Sequence, residues 1–306
     1  MGRMAGGGDS PGGEVIRDHR RQWRDCLYVY PVISRRAKGL SVGVNLNPQK
    51  ECTFACRYCQ IDRRIRRGLS TVDLPTLRRE LALALEEAAS GRLWAEERFA
   101  RTPPDLRRIH DVALSGDGEP TCLEIFDRAV AVAAEAKAAA GLDEVKIVVI
   151  TNASCLASPQ VARALPILDA HRGEIWAKLD AGTEAYFQRL NRPDPKIPLE
   201  EVIGNITAVA RGRPVVIQTL LCRLDGQNPP PEEIDAYCRQ LQRIRDAGGQ
   251  IKLVQVHTIA RSPADPSASA IPDEELDALA DTIRAAVAPV PVEAYYGQDV
   301  PPQDQR

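Results

Sequence analysis

Three of the chain's eight cysteines, Cys52, Cys56 and Cys59, fall within eight residues, in the run Asn47-Pro48-Gln49-Lys50-Glu51-Cys52-Thr53-Phe54-Ala55-Cys56-Arg57-Tyr58-Cys59-Gln60. Clustered thiolates are ligands for soft metals. A structural zinc site needs four ligands, so this C-x3-C-x2-C spacing cannot close one alone. A cubic iron–sulfur cluster held by three thiolates keeps one iron open for a further ligand, which is what chemistry at a cluster requires. The other five, Cys26, Cys122, Cys155, Cys222 and Cys238, are scattered singly. Cys122, Cys155, Cys222 and Cys238 read as reduced, buried small hydrophobes, and Cys26 carries no signal either way. Cys122, Cys155 and Cys222 each follow an expected strand, where a thiol can also meet substrate or donate a hydrogen atom; their isolation argues against a second cluster.

Other groups able to do chemistry also stand just after apolar runs. Leu114-Ser115-Gly116-Asp117-Gly118-Glu119-Pro120-Thr121 sets a carboxylate in a glycine turn. Glycines let main chain approach a ligand, and a carboxylate suits a cationic amine. Taken alone the run is an ordinary turn; its position one unit after the cysteines raises it. Asn152 lies in Ile150-Thr151-Asn152-Ala153-Ser154, and Lys178 and Asp180 in Trp176-Ala177-Lys178-Leu179-Asp180-Ala181-Gly182. A helix N-cap at Asn152 or Ser154 and an ordinary salt bridge at Lys178 weigh about evenly against ligand contacts. Gln218-Thr219 and His257-Thr258 end two later runs without a distinctive motif, and His257 reads as structural.

These groups need a scaffold that brings them to one edge. From Gly39 onward short β-branched runs alternate with helix-period segments, the pattern of parallel strands joined by crossover helices. The strands are expected at Ser41–Leu46, Asp111–Ser115, Val145–Thr151, Glu174–Leu179, Pro214–Leu221 and Gln250–Thr258, with a last short one at Val292–Tyr296. The helices are expected near Leu74–Ser90, Leu123–Ala140, Ser158–Leu168, Leu199–Ala210, Pro231–Ala247 and Asp273–Val287. Gly141, Gly173, Gly212 and Gly248-Gly249 follow helices, and Pro198, Pro231 and Pro272 stand at or near their starts. Strict alternation gives an α/β fold with a parallel sheet, either open and doubly wound or a barrel. In both, chemistry gathers at the C-terminal strand ends.

With 44% hydrophobic and 27% charged residues, the 306-residue chain is composed like an ordinary globular protein. Charged residues or proline interrupt every apolar run short of the roughly 18 residues a membrane helix needs. Met1 to Gly13 lacks the apolar stretch of a secretion signal, so a cytoplasmic location is expected. Residues 1–13 and 300–306 read as disordered tails, 14–38 as a basic N-terminal extension, and 39–299 as one domain. The net charge of −2 hides an asymmetry: residues 14–67 hold thirteen basic and five acidic side chains. Arg35, Arg36 and Lys38 precede the first expected strand, and Arg57, Arg63, Arg64, Arg66 and Arg67 follow it. Phosphate recognition is one reading of them; internal pairing with the acidic remainder stands slightly ahead.

The C-x3-C-x2-C motif with Tyr58 before the third cysteine, on the loop after the first strand of a β/α array, resembles the radical S-adenosylmethionine (radical SAM) superfamily. The Gly118-Glu119-Pro120 run resembles its GGEP motif, with Asp117 where that motif has its first glycine. The resemblance implies a partial (β/α)6 barrel over about Gly39 to Val287. It implies a [4Fe–4S] cluster on Cys52, Cys56 and Cys59, whose open iron chelates S-adenosyl-L-methionine. One electron then cleaves the sulfonium to methionine and a 5′-deoxyadenosyl radical, which removes a hydrogen atom from substrate. It further implies that Gly116, Gly118 and Glu119 hold the methionyl ammonium, that main chain around Tyr58 faces the adenine, that Asn152 and Asp180 meet ribose hydroxyls, and that Lys178 pairs with the methionyl carboxylate. A reducing partner such as a flavodoxin or ferredoxin follows. Ser34-Arg35-Arg36, Asn45-Leu46-Asn47-Pro48, Lys178-Leu179-Asp180-Ala181-Gly182 and Asn191-Arg192-Pro193 look most like a poorly defined group similar to wyosine-forming tRNA enzymes. Candidate substrates are therefore tRNA or a phosphorylated small molecule. Two other classes stay open: an iron–sulfur or electron-transfer protein without radical chemistry, and an RNA-binding module.

Overall fold

Runs such as Gly39-Leu40-Ser41-Val42-Gly43-Val44 are apolar or small on both alternating faces, so they are stable only with neighbours on both edges and cover on both sides. The computed structural model describes residues 22–34, 36–63 and 71–297. Both expected disordered tails, and Arg35, Arg64, Arg66 and Arg67, lie outside the described residues. The strands are β1 (Val29–Ser34), β2 (Gly39–Val44), β3 (Ile109–Leu114), β4 (Lys146–Thr151), β5 (Gly173–Lys178), β6 (Val215–Leu220), β7 (Arg223–Leu224), β8 (Ile251–His257), β9 (Ala268–Ser269) and β10 (Val292–Tyr295). Crossover helices are α1 (Leu74–Ala89), α2 (Phe126–Ala139), α3 (Pro159–Ala170), α4 (Glu184–Asn191), α5 (Leu199–Gly212), α6 (Pro231–Asp246) and α7 (Asp273–Val287).

The main sheet runs β1-β2-β3-β4-β5-β6-β8-β10, with every neighbouring pair parallel except β1 and β2. Consecutive order leaves no reversal point, so the open doubly wound alternative is ruled out. β1 and β10 stay as two edges, which makes the sheet a curled half-barrel with flanking helices. One face of the strands, including Val42, Val112, Ile147, Val149, Ile217 and Val254, joins the core beneath the helices. On the inner face Ala113, Val148, Trp176 and Val216 form a separate apolar cluster. Fully burying one such Val, Ile or Leu side chain contributes about 1.5–3 kcal/mol.

Three features departed from expectation. Part of the basic extension is β1, an edge strand paired antiparallel with β2. Its Pro31 weakens the strand signal, yet an edge tolerates the missing N–H. The buried carboxylate of Glu80 on α1 accepts the N–H groups of Leu27, Tyr28 and Val29 at 2.8, 2.9 and 3.1 Å and fixes where β1 starts. α4 was missed because it is short and polar. Thr183 caps it, and Glu233 on α6 accepts from Thr183 Oγ1 at 2.6 Å. The third departure is the small antiparallel pair β7 and β9, where no strands were expected.

Candidate cofactor site

A cleft of about 240 Å³ opens on the inner face of the half-barrel, lined by Cys52, Cys56, Cys59, Tyr58, Gly116, Gly118, Glu119, Asn152 and Lys178 together with inner-face residues of β1 to β5. The expected site residues therefore share one cavity, except Asp180.

The cysteine loop takes its shape from α4 and the segment after it. Ala55 and Arg57 donate backbone N–H groups to the carbonyls of Arg192 and Leu190, both at 2.9 Å, and Asp194 donates to Thr53 at 2.8 Å. Phe54 meets Phe187 edge-on at 5.4 Å. The Tyr58 hydroxyl donates to the Asp180 carboxylate, which also accepts from Asn191 Nδ2 and Leu220 N–H, both at 2.8 Å. Asp180 is 5% exposed and bonded through both carboxylate oxygens, so it holds the loop's tyrosine in place. Lys178 has its ammonium 3.5 Å from Asp180 and 5.0 Å from the Tyr58 ring centroid, so the expected ordinary ion pair is present while the side chain still lines the cleft.

Gly116 and Gly118 are required by neighbouring protein. A Cβ on Gly116 would lie 2.3 Å from Asn45 Oδ1, and one on Gly118 would lie 1.7 Å from the Glu51 carbonyl oxygen. The Asp117 that interrupts the glycine run clasps Asn45: Asn45 Nδ2 donates to its carboxylate at 3.0 Å, and its N–H donates back to Asn45 Oδ1 at 3.1 Å. The glycine turn thus locks against the start of the cysteine loop.

Behind that lock, Glu119 is 3% exposed. Its carboxylate accepts from Thr121 Oγ1 at 2.5 Å, Thr151 Oγ1 at 2.7 Å and the Asn152 N–H at 2.6 Å. Burial pushes its carboxyl up, against these bonds. No cation is bonded to it among the described residues, so an ammonium entering the cleft gains an attractive partner that is already desolvated and held in place.

Each thiol of the trio has a side-chain N–H directed at its sulfur. Asn152 Nδ2 lies 3.7 Å from Cys52 Sγ, Asn191 Nδ2 lies 3.6 Å from Cys56 Sγ, and Arg63 Nη2 lies 3.6 Å from Cys59 Sγ. Donors around sulfur suit thiolates carrying negative charge, as in iron–sulfur ligation. Burial, with the nearby Glu119, pushes the Cys52 thiol up to about 11, and burial, with Asp180, pushes Cys56 up to about 12. Binding a metal at these sulfurs therefore displaces protons. No three metal-binding side chains among the described residues converge on a single-ion site. A cubic cluster puts each thiolate on a different iron, so its ligands surround a volume without meeting at a point. The residues fit that group.

Asn191 and Arg63 are contacts to the trio that sequence reasoning missed. Asn191 was quoted only as part of a family-like segment, and Arg63 was counted as part of a phosphate-binding flank. Its neighbour Arg57 is internally paired, at 3.2 Å from Asp225 and 3.4 Å from Asp265, as the pairing reading expected. Gln218 bonds Gln255 at 2.8 Å, Thr219 meets the Tyr237 hydroxyl, and Thr258 Oγ1 accepts from the Ile271 N–H at 2.9 Å, so these strand ends serve the framework. His257 Nδ1 lies 3.5 Å from the Gln255 carbonyl.

The isolated reading of Cys122 and Cys155 is corrected. They form a disulfide, with Cα atoms 5.2 Å apart. They are 33 residues apart in sequence, but β3 and β4 are parallel neighbours, so the loops after them run side by side. Cys222 and Cys238 are free and buried, as expected, and Cys26 is free and half-buried.

Among solved structures, the chain resembles a radical SAM methyltransferase from Sphaerobacter thermophilus, with a TM-score of 0.60 and 16% identity over 88% of this chain and 69% of that one. It also resembles Streptococcus suis SuiB bound to S-adenosylmethionine (TM-score 0.55, 14% identity, 85% of this chain and 52% of that one). A third is TYW1 with a lysine-pyruvate adduct bound (0.52, 14%, 80% and 73%). The fold is that of radical SAM enzymes. No protein-family model matches the chain. Among curated proteins it is 24% identical to "GTPase Obg" of Brachyspira hyodysenteriae over 81% of this chain and 32% of that protein. It is 26% identical to a UPF0026 protein of Methanocaldococcus jannaschii over 58% of this chain and 48% of that protein. The chain therefore spans about a third to a half of the length of these curated relatives.

Proposed function

We propose that this chain is a radical SAM enzyme that binds a [4Fe–4S] cluster through Cys52, Cys56 and Cys59 and S-adenosyl-L-methionine in the adjoining cleft. The observation that carries the proposal is the trio itself: three thiols on one cavity, each with an N–H donor at its sulfur, facing a buried carboxylate in the fold of radical SAM enzymes. When bound, the pair of cofactors supplies a reductively generated 5′-deoxyadenosyl radical that abstracts a hydrogen atom from substrate.

The chain's own residues do the rest. Glu119 receives the methionyl ammonium, with its carboxylate held by Thr121, Thr151 and Asn152. Asn45, Asp117 and the two glycines keep that carboxylate at a fixed offset from the cysteines. Lys178, over the Tyr58 ring, offers a cation to the methionyl carboxylate. The half-barrel wall, with Val148, Ile150 and Trp176 facing the cavity, limits water around a reactive species. An external one-electron donor of the flavodoxin or ferredoxin kind completes the system.

Arg36 and Arg261 also line the cavity, which favours an anionic substrate such as a phosphorylated small molecule or a tRNA nucleotide. The sequence contains no Gly-Lys-Ser or Gly-Lys-Thr run, so nothing in it corresponds to the phosphate-binding loop of a GTPase. The test is anaerobic reconstitution: about four irons per chain, and an EPR spectrum of the reduced protein that changes on adding S-adenosyl-L-methionine. A spectrum indifferent to that addition contradicts radical chemistry and favours electron transfer.

A further inference from the structure

The donors at the three sulfurs are not equivalent. Those at Cys52 and Cys56 are neutral amides, whereas that at Cys59 is a guanidinium. Arg63 stands four residues after Cys59 and is immobilised from two sides. Its Nη1 donates to the carbonyl of Lys50, at the start of the cysteine loop, and to the carbonyl of Asp117, in the glycine turn, the latter at 2.8 Å. Nη2 is then aimed at Cys59 Sγ, while Nε is buried without a partner. A tether between two loops needs only the carbonyl contacts. Directing the Nη2 of a fixed cation at a sulfur ligand is an additional feature, and Arg63 lines the cleft that sulfur faces.

We propose that Arg63 is the positioning residue that sets the cluster's reduction potential, by a charge-assisted N–H···S bond to Cys59 and by locking the cysteine loop to the turn that carries Glu119. The inference rests on the reading that the trio holds a cluster. When an external donor adds one electron, negative charge on the cluster sulfurs increases. A fixed cation a hydrogen bond away, in a partly desolvated site, stabilises that reduced form more than the oxidised one. Arg63 therefore raises the potential and eases electron entry. Arg57, a cation in the same loop, is turned away toward Asp225 and Asp265 and does not share this role.

The experiment is a redox titration of the reconstituted full chain, followed by EPR, in the wild type, Arg63→Gln, Arg63→Lys and Arg57→Gln. With iron content equal to wild type, Arg63→Gln is expected to lower the reduced-to-oxidised ratio at a fixed poise about tenfold, equivalent to about 59 mV for a one-electron couple. Arg63→Lys, which keeps the charge and loses the fork, is expected to shift it less, and Arg57→Gln not at all. An Arg63→Gln cluster at the wild-type potential overturns the proposal, as does an equal shift in Arg57→Gln. Where Arg63→Gln loses iron, the wild type decides alone: guanidinium 15N-labelled arginine is expected to give a 15N hyperfine coupling to the reduced cluster, and its absence overturns the proposal. A wild-type chain that binds cluster and responds to S-adenosyl-L-methionine while failing these tests leaves the proposed function standing. One that takes up no iron overturns both.

Discussion

The buried Glu119 carboxylate accepts from Thr121, Thr151 and Asn152 and has no cation bonded to it among the described residues. That combination makes a sharp prediction. Glu119→Gln removes the charge while approximating the shape, and is expected to weaken S-adenosyl-L-methionine binding about tenfold to a hundredfold, the roughly 1.5–3 kcal/mol typical of a charged hydrogen bond. Equilibrium dialysis on the reconstituted protein measures it; unchanged affinity removes Glu119 from the site. At this scale the sequence singled out the three cysteines and Glu119, which the fold brings to one cleft, because their spacing and their place after strands are local properties. It did not show that Asn191 and Arg63 serve Cys56 and Cys59. Those contacts depend on how α4 ends against the cysteine loop and how that loop folds back on itself, and neither leaves a mark on spacing. Asp180 illustrates the converse: its position after β5 was right, but the fold directs its carboxylate to Tyr58.

At the scale of elements, the six β–α units were legible because hydrophobic period and glycine or proline breakers agree in each. What the pattern could not show was pairing between units. The Cys122–Cys155 disulfide follows from β3 and β4 being neighbours, and single cysteines in separate loops carry no sign of that. Alkylation of the unfolded, unreduced apoprotein is expected to label six cysteines, and of the reduced protein all eight. Eight labels without reductant contradicts the bond. In the chain-entropy account, closing a loop of this length stabilises by up to about 4 kcal/mol. Both cysteines lie just beyond Glu119 and Asn152, and Ser154 connects them to the cysteine loop, with its Oγ 3.7 Å from Cys122 Sγ and 2.8 Å from Thr53 Oγ1.

The whole molecule is a curled sheet, and its curvature brings distant charges together. Glu174 on β5 accepts from Lys146 of the neighbouring β4 at 2.8 Å, from Lys252 of β8 at 2.7 Å and from Trp176 at 2.9 Å. Burial alone would push its carboxyl up; these three bonds together outweigh it and hold it at about 2, against an ordinary 4.5. A depressed carboxyl contributes stability that is present above its unfolded value and lost as pH falls. Denaturant midpoints are therefore expected to drop between about pH 4.5 and pH 2. Glu174→Gln should be less stable at neutral pH and show a flatter acid limb; an identical acid limb contradicts the assignment. The central claim, that the trio supports radical chemistry, is tested most directly by anaerobic release of 5′-deoxyadenosine from S-adenosyl-L-methionine under a strong reductant. The account predicts release by the reconstituted wild type and none when Cys52, Cys56 and Cys59 are replaced by Ser; release by the triple variant at the wild-type rate would contradict it.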